Sequence, residues 1–101
     1  MVKHVILWKL KAALSGEEKS KVISGIKQNL EALAGVVPGI VSIKVVCENT
    51  LASSNADLML DSAFESADAL KSYAVHPAHV TAADTFVRPF TETRLCLDYE
   101  I

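Results

Sequence analysis

Residues 2–10 read VKHVILWKL, Val2 to Leu10, a strand-length run rich in β-branched and aromatic side chains. Strand periodicity puts His4, Ile6, Trp8 and Leu10 on one face and Val5, Leu7 and Lys9 on the other. Both faces are mainly apolar, the pattern of a strand covered on two sides. The fold question is therefore what lies above this strand and what lies below it.

Working outward, the next segment is helical. Ser15-Gly16-Glu17-Glu18 fits a capping box, with the Ser15 hydroxyl and the Glu18 carboxylate serving orphan amides reciprocally. Val22, Ile23, Ile26, Leu30 and Leu33 follow at helical spacing, and Lys19, Lys21, Lys27, Gln28 and Glu31 take the wet side. Gly35 suits a left-handed cap. Val37-Pro38-Gly39 is a turn into a second strand, residues 40–47, and the polar run from Glu48 to Asn55 is a loop. A third strand over 56–64 alternates Leu58, Leu60, Ser62 and Phe64 against Asp57, Met59, Asp61 and Ala63. Ser66 caps a short helix ending near Tyr73, a further helical stretch covers 77–87, and a last strand runs from Thr91 to Tyr99. The order β-α-β-β-α-(α)-β predicts one α+β domain over residues 1–101, a ferredoxin-like four-stranded antiparallel sheet with helices on one face.

So few helices cannot cover both faces of the sheet. A large bare apolar face marks an interaction site, and a second copy packed sheet against sheet supplies the cover. The expected assembly is a homodimer. Val45 and Leu97 are the two positions at which a charge would split it, depending on which points outward.

Composition narrows the function classes. The chain has 101 residues, 50% hydrophobic and 22% charged, which excludes compositional disorder. A net charge of −2 leaves no electrostatic footprint for nucleic acid or an acidic membrane. Lys9 interrupts the apolar run from Val5 to Trp8, far below the roughly 20 residues that span a bilayer. No signal peptide is expected. Cys47 and Cys96 are too few for a disulfide framework or a zinc motif and read as reduced core thiols of a cytoplasmic protein.

Three histidines occur, His4, His76 and His79, and two of them flank Pro77 in SYAVHPAHV, residues 72–80. Proline is favoured at the first helical position, which makes His76 the N-cap and places His79 in the first turn. There the helix dipole disfavours imidazolium, and a neutral imidazole can act as a general base. Equally, such histidines can simply bond backbone at a helix start. A metal site would need a third ligand from His4, Asp98 or Asp84, and no motif links them. Cys96 between Leu95 and Leu97 reads as packing rather than a nucleophile. No phosphate loop, GxSxG elbow or dinucleotide fingerprint is present, so neither a cofactor nor a metal is expected.

Four segments together resemble a known family: Val2-Lys3-His4-Val5-Ile6, Val37-Pro38-Gly39-Ile40, His76-Pro77-Ala78-His79 and Leu97-Asp98-Tyr99. In order, and on the expected elements, they are similar to the stress-responsive α/β-barrel (Dabb) domain of the dimeric α/β-barrel superfamily, including its olivetolic acid cyclase branch. The resemblance implies a stress-associated homodimer of unspecified biochemical role. Its alternative implication is a cofactor-independent cyclase or isomerase acting on a β-keto, polyketide-like small molecule. In that case His79 is the base and Tyr73 assists, His4, Ile6, Trp8 and Ile26 adjoin the substrate, and His76 and Pro77 are structural. Ile26 stands where the cyclases place a pocket tyrosine, and Trp8 replaces a smaller aliphatic residue. An open apolar cavity beside His79 is expected of an enzyme, and one plugged by Trp8 of the non-catalytic dimer.

Overall fold

The computed structural model describes residues 1–101. Its strands are β1 (Val2–Leu10), β2 (Ile40–Val46), β3 (Leu58–Phe64) and β4 (Thr91–Glu100), and its helices are α1 (Gly16–Glu31), α2 (Ala67–Val75) and α3 (Pro77–Ala82). The strands form one antiparallel sheet in the order β2-β3-β1-β4, the ferredoxin-like arrangement expected from the element order.

Alternation along β1 and β3 divides the sheet into two unlike faces. Ile6, Trp8 and Leu10, with Leu58, Leu60 and Phe64, are buried against Ile26 and Leu30 of α1, Tyr73 of α2 and Val87. The opposite face pairs Leu7 with Met59 and Leu95, and Val5 with Asp61 and Leu97. There Leu95, Leu97 and Tyr99 are 63%, 64% and 45% exposed. Val45 is buried on the helix side, so Leu97 is the outward member of the pair named from the sequence.

Helix ends show where local reading succeeds and fails. Ser66 Oγ accepts from the Ala69 amide as expected of an N-cap. Ser15 makes no such bond, because Gly16 takes φ 56° and turns the chain before the first helical amides. Gly35 needs no left-handed conformation, since α1 tightens into a 3-10 turn over Ala32–Gly35. Gly39 does need its φ of 88°, and a Cβ there would sit 2.7 Å from the Ala69 Cβ. After α3 the chain passes through a π turn, Ala83–Val87, and a 3-10 turn, Arg88–Phe90, before β4.

Lys27 and Glu31 depart from the wet side assigned to them. Lys27 Nζ donates to the Val45 carbonyl at 3.0 Å and to Glu31 Oε2 at 2.8 Å, and Glu31 accepts from the Val45 amide at 2.9 Å. This pair clamps α1 onto the outer edge of β2 and covers edge groups that would otherwise be open to another strand. Burial alone would raise the Glu31 carboxyl. The Lys27 ammonium and the Val45 amide outweigh it and hold the group below the usual carboxylate range.

Candidate functional site

The α2–α3 junction builds the site. His76 caps α3, its Nδ1 accepting from the Ala78 amide at 3.1 Å, and Pro77 follows at a position that needs no N–H. The next turn carries His79 back over the end of α2, where its Nδ1 lies 3.1 Å from the Ala74 carbonyl. A carbonyl only accepts, so Nδ1 carries the proton and Nε2 keeps its lone pair. The imidazole stacks on Tyr73, with ring centroids 4.2 Å apart and planes at 37°. Tyr73 also packs on Phe64 at 4.8 Å and edge-on to His4 at 6.2 Å.

Between these rings and the sheet lies a cavity of about 390 Å³, walled by Ile6, Trp8, Leu60, Tyr73 and His79, with Arg88 and Arg94 among its polar members. Trp8 is part of the wall and 4% exposed, and the space beside it stays open. Tyr73 is 2% exposed, and its hydroxyl has no hydrogen-bond partner in the chain yet is not sealed off. Burial pushes its pKa up to about 12 against the pull of Arg94, so the phenol stays a donor across the ordinary pH range. Burial pushes His79 below its ordinary value. Its bond to Ala74 works the other way, and the positive charges of Arg88, His4 and Arg94 depress it further. The site thus joins a neutral imidazole to a protonated phenol.

Not all the residues picked out in the sequence meet here. Ile6 and Trp8 line the cavity, whereas Ile26 is fully buried in the core and forms no part of the wall. His4 opens instead on a neighbouring depression of about 570 Å³ between α2 and β4. Its Nδ1 lies 2.5 Å from Asp98 Oδ1, with Cys96 Sγ 3.5 Å from the same oxygen. His4, Cys96 and Asp98 thus gather three metal-ligand types within 4.8 Å, although no sequence motif joined them. Cys96 is not the core thiol expected, because the helices leave this side of the edge strand β4 exposed. Both cysteines are free, and burial raises the pKa of each, Asp98 adding to the rise at Cys96. Sequence reasoning missed Arg88 and Arg94 in the cavity. The alternation of β4, which puts Arg94 opposite Trp8, was the one available signal.

The chain is thus a small ferredoxin-like domain with a helix-covered cavity on one face of its sheet and a bare apolar surface on the other. The family model of the stress responsive A/B barrel domain matches residues 2–101, and the chain belongs to that family. An uncharacterized protein of Streptomyces coelicolor is 31% identical over 99% of both chains. A dimeric protein of unknown function and ferredoxin-like fold from Bacteroides fragilis superposes with a TM-score of 0.91 at 36% identity, over 99% of this chain and 95% of that one. A dimeric ferredoxin-like protein of unknown function from Thermobifida fusca shares the fold, with a TM-score of 0.79 at 19% identity over 99% and 90% of the two chains. No helix of the chain is long and apolar enough to cross a membrane.

Proposed function

We propose that this chain is a homodimer whose cavity catalyses cofactor-independent proton transfer on a small carbonyl compound, with His79 as base and Tyr73 as hydrogen-bond donor. The observation that carries the reading is the open cavity beside a neutral imidazole whose tautomer the Ala74 carbonyl fixes. His79 Nε2 removes a proton from carbon next to the carbonyl. The developing enolate oxygen accepts from the Tyr73 hydroxyl, and return of the proton at another carbon, or attack by the enolate on a second carbonyl, completes an isomerisation or an aldol-type ring closure. Such proton transfer contributes typically ~10²–10⁴-fold. At about 390 Å³ the cavity is near the lower end of ligand pockets, which favours a compact carbonyl substrate over a long polyketide tail. His4 packs edge-on behind Tyr73, and His76 and Pro77 shape the turn.

The dimer reading rests on the exposed row of Leu95, Leu97 and Tyr99 and on the dimeric relatives. Two free thiols with raised pKa values fit a reducing, cytoplasmic setting. The test of catalysis is solvent deuterium incorporation at the acidic carbon of small carbonyl compounds, followed by NMR. Exchange by the wild type that His79→Ala abolishes, with little change in melting temperature, supports the proposal.

A second reading has its own observation. The His79–Ala74 and His76–Ala78 bonds tie α3 to α2 without requiring any reaction. That reading expects no exchange by the wild type and a lower melting temperature for His79→Ala.

A further inference from the structure

The charged groups around the cavity are of one sign. Its wall carries two guanidiniums, Arg88 and Arg94, and no carboxylate. The chain as a whole is slightly acidic, with a net charge of −2, so this is a local property rather than a reflection of composition. The two arginines are not equivalent. Arg88 is held in an i,i+4 ion pair with Asp84. Arg94 takes part in none of the chain's ion pairs. Asp98, further along the same strand, is engaged by His4.

Position makes Arg94 useful. It stands opposite Trp8 in the β1–β4 pairing, on the helix side of the sheet, and borders both the cavity and the depression beside His4. An arginine fork without an acidic partner at the edge of a mainly apolar cavity matches a planar anion, because it offers two parallel N–H donors to a carboxylate. Low-dielectric walls concentrate its field on whatever enters.

We propose that the substrate is a small oxo acid whose carboxylate is bound by Arg94 while its carbonyl and acidic C–H lie toward Tyr73 and His79. This deepens the proton-transfer reading and rests on it for the chemical step. The step balances within the substrate. The C–H proton passes to His79 Nε2, the electron pair moves into a carbon–carbon double bond as the carbonyl oxygen becomes an enolate held by Tyr73, and the oxygen takes a proton back from the His79 imidazolium to give the enol. No oxidant, reductant or co-reactant is consumed. Arg94 binds and orients, and His79 moves the proton.

The test compares phenylpyruvate with its methyl ester, which keeps the carbonyl and the acidic methylene and loses the charge. Deuterium exchange at that methylene is followed by NMR in the full-length protein, with spontaneous rates subtracted. The acid is expected to be favoured over the ester by about 10- to 100-fold in kcat/KM, the range of a hydrogen-bonded charge. Arg94→Gln should collapse that ratio toward one, and Arg94→Lys should restore part of it. Acid and ester exchanging alike, or a ratio that Arg94→Gln leaves intact, overturns the carboxylate site while the proton-transfer reading stands. Saturable line broadening of phenylpyruvate that needs Arg94, without exchange, supports the anion site and overturns the reading of the reaction. Inorganic phosphate displacing the acid at lower concentration than the acid's own half-saturation would overturn the choice of a carboxylate. Neither binding nor exchange overturns both.

Discussion

The two faces of β1 both carry large apolar side chains and meet opposite fates. Ile6, Trp8 and Leu10 vanish beneath helices of the same chain, while Val5 and Leu7 stay with Leu95 and Leu97 on a surface no helix reaches. Apolar side chains alone therefore do not decide which face the chain covers with its own helices. The difference lies in which side the right-handed connections of the chain deliver their helices, and a chain this short has helices for one side only. The covered face holds the cavity, and the bare face gives a partner something to cover.

The sharpest way to break this comparison is to place the same charge on each face. Leu10→Asp buries a carboxylate on the helix side of β1, in the core rather than at the cavity wall. Leaving an uncompensated charge inside costs about 3–5 kcal/mol, a large part of the 5–15 kcal/mol that holds a typical domain. Thermal melting followed by circular dichroism should show the cooperative transition lost or shifted far down. Leu97→Asp has solvent to point into, so its monomer should keep native far-UV dichroism. Light scattering at micromolar concentration should report one chain per particle instead of two. If Leu97→Asp remains dimeric, the bare face is not the interface.

Titration sharpens the comparison on the covered side. Burial and the charges of Arg88, His4 and Arg94 lower the His79 pKa, so the folded chain resists a proton that the unfolded chain takes up near pH 6.5. Between the unfolded and folded values the unfolded state binds more protons. Stability from this group is therefore complete above pH 6.5 and falls as the pH drops toward the lower folded value. His79→Gln should flatten that acid limb relative to wild type in a series of urea melts. The deuterium-exchange rate of the wild type should fall with a midpoint below 6.5, as the base becomes protonated. A midpoint above 6.5 would contradict the burial of the imidazole.

Much of this was legible in the sequence because it is local. Alternation in β1 and β3, the Ser66 cap and the His76-Pro77 helix start each follow from a few neighbouring residues. What was not legible depends on elements far apart in the chain. Lys27 and Glu31 read as members of the wet face of α1, and only the passage of the β2 edge beside α1 turns them into a clamp. Cys96 reads as packing between two leucines, but those leucines face the bare side and the thiol faces the exposed helix side. Arg94 looks like any strand arginine until its pairing with Trp8 puts it at the cavity. The residues carrying the candidate chemistry were readable at the α2–α3 junction, whereas those setting its charge were not.

The smallest expected effect concerns the two serines that look alike in sequence. Ser66 and Ser15 each precede a helix with acidic residues in its first turn, yet only Ser66 bonds an amide of its helix. Ser66→Ala removes that acceptor and leaves the Ala69 N–H to solvent, a loss of about 0.5–2 kcal/mol for such caps. Ser15→Ala removes no bond, because the left-handed turn at Gly16 has already carried the helix amides away from the hydroxyl. Its effect should stay within about 0.5 kcal/mol, the range of surface substitutions that touch nothing specific. Chemical denaturation of the two variants at equal protein concentration makes the comparison, since any self-association then adds equally to both. Equal losses would mean that Ser15 caps α1 in solution, and that the turn at Gly16 relaxes to let it.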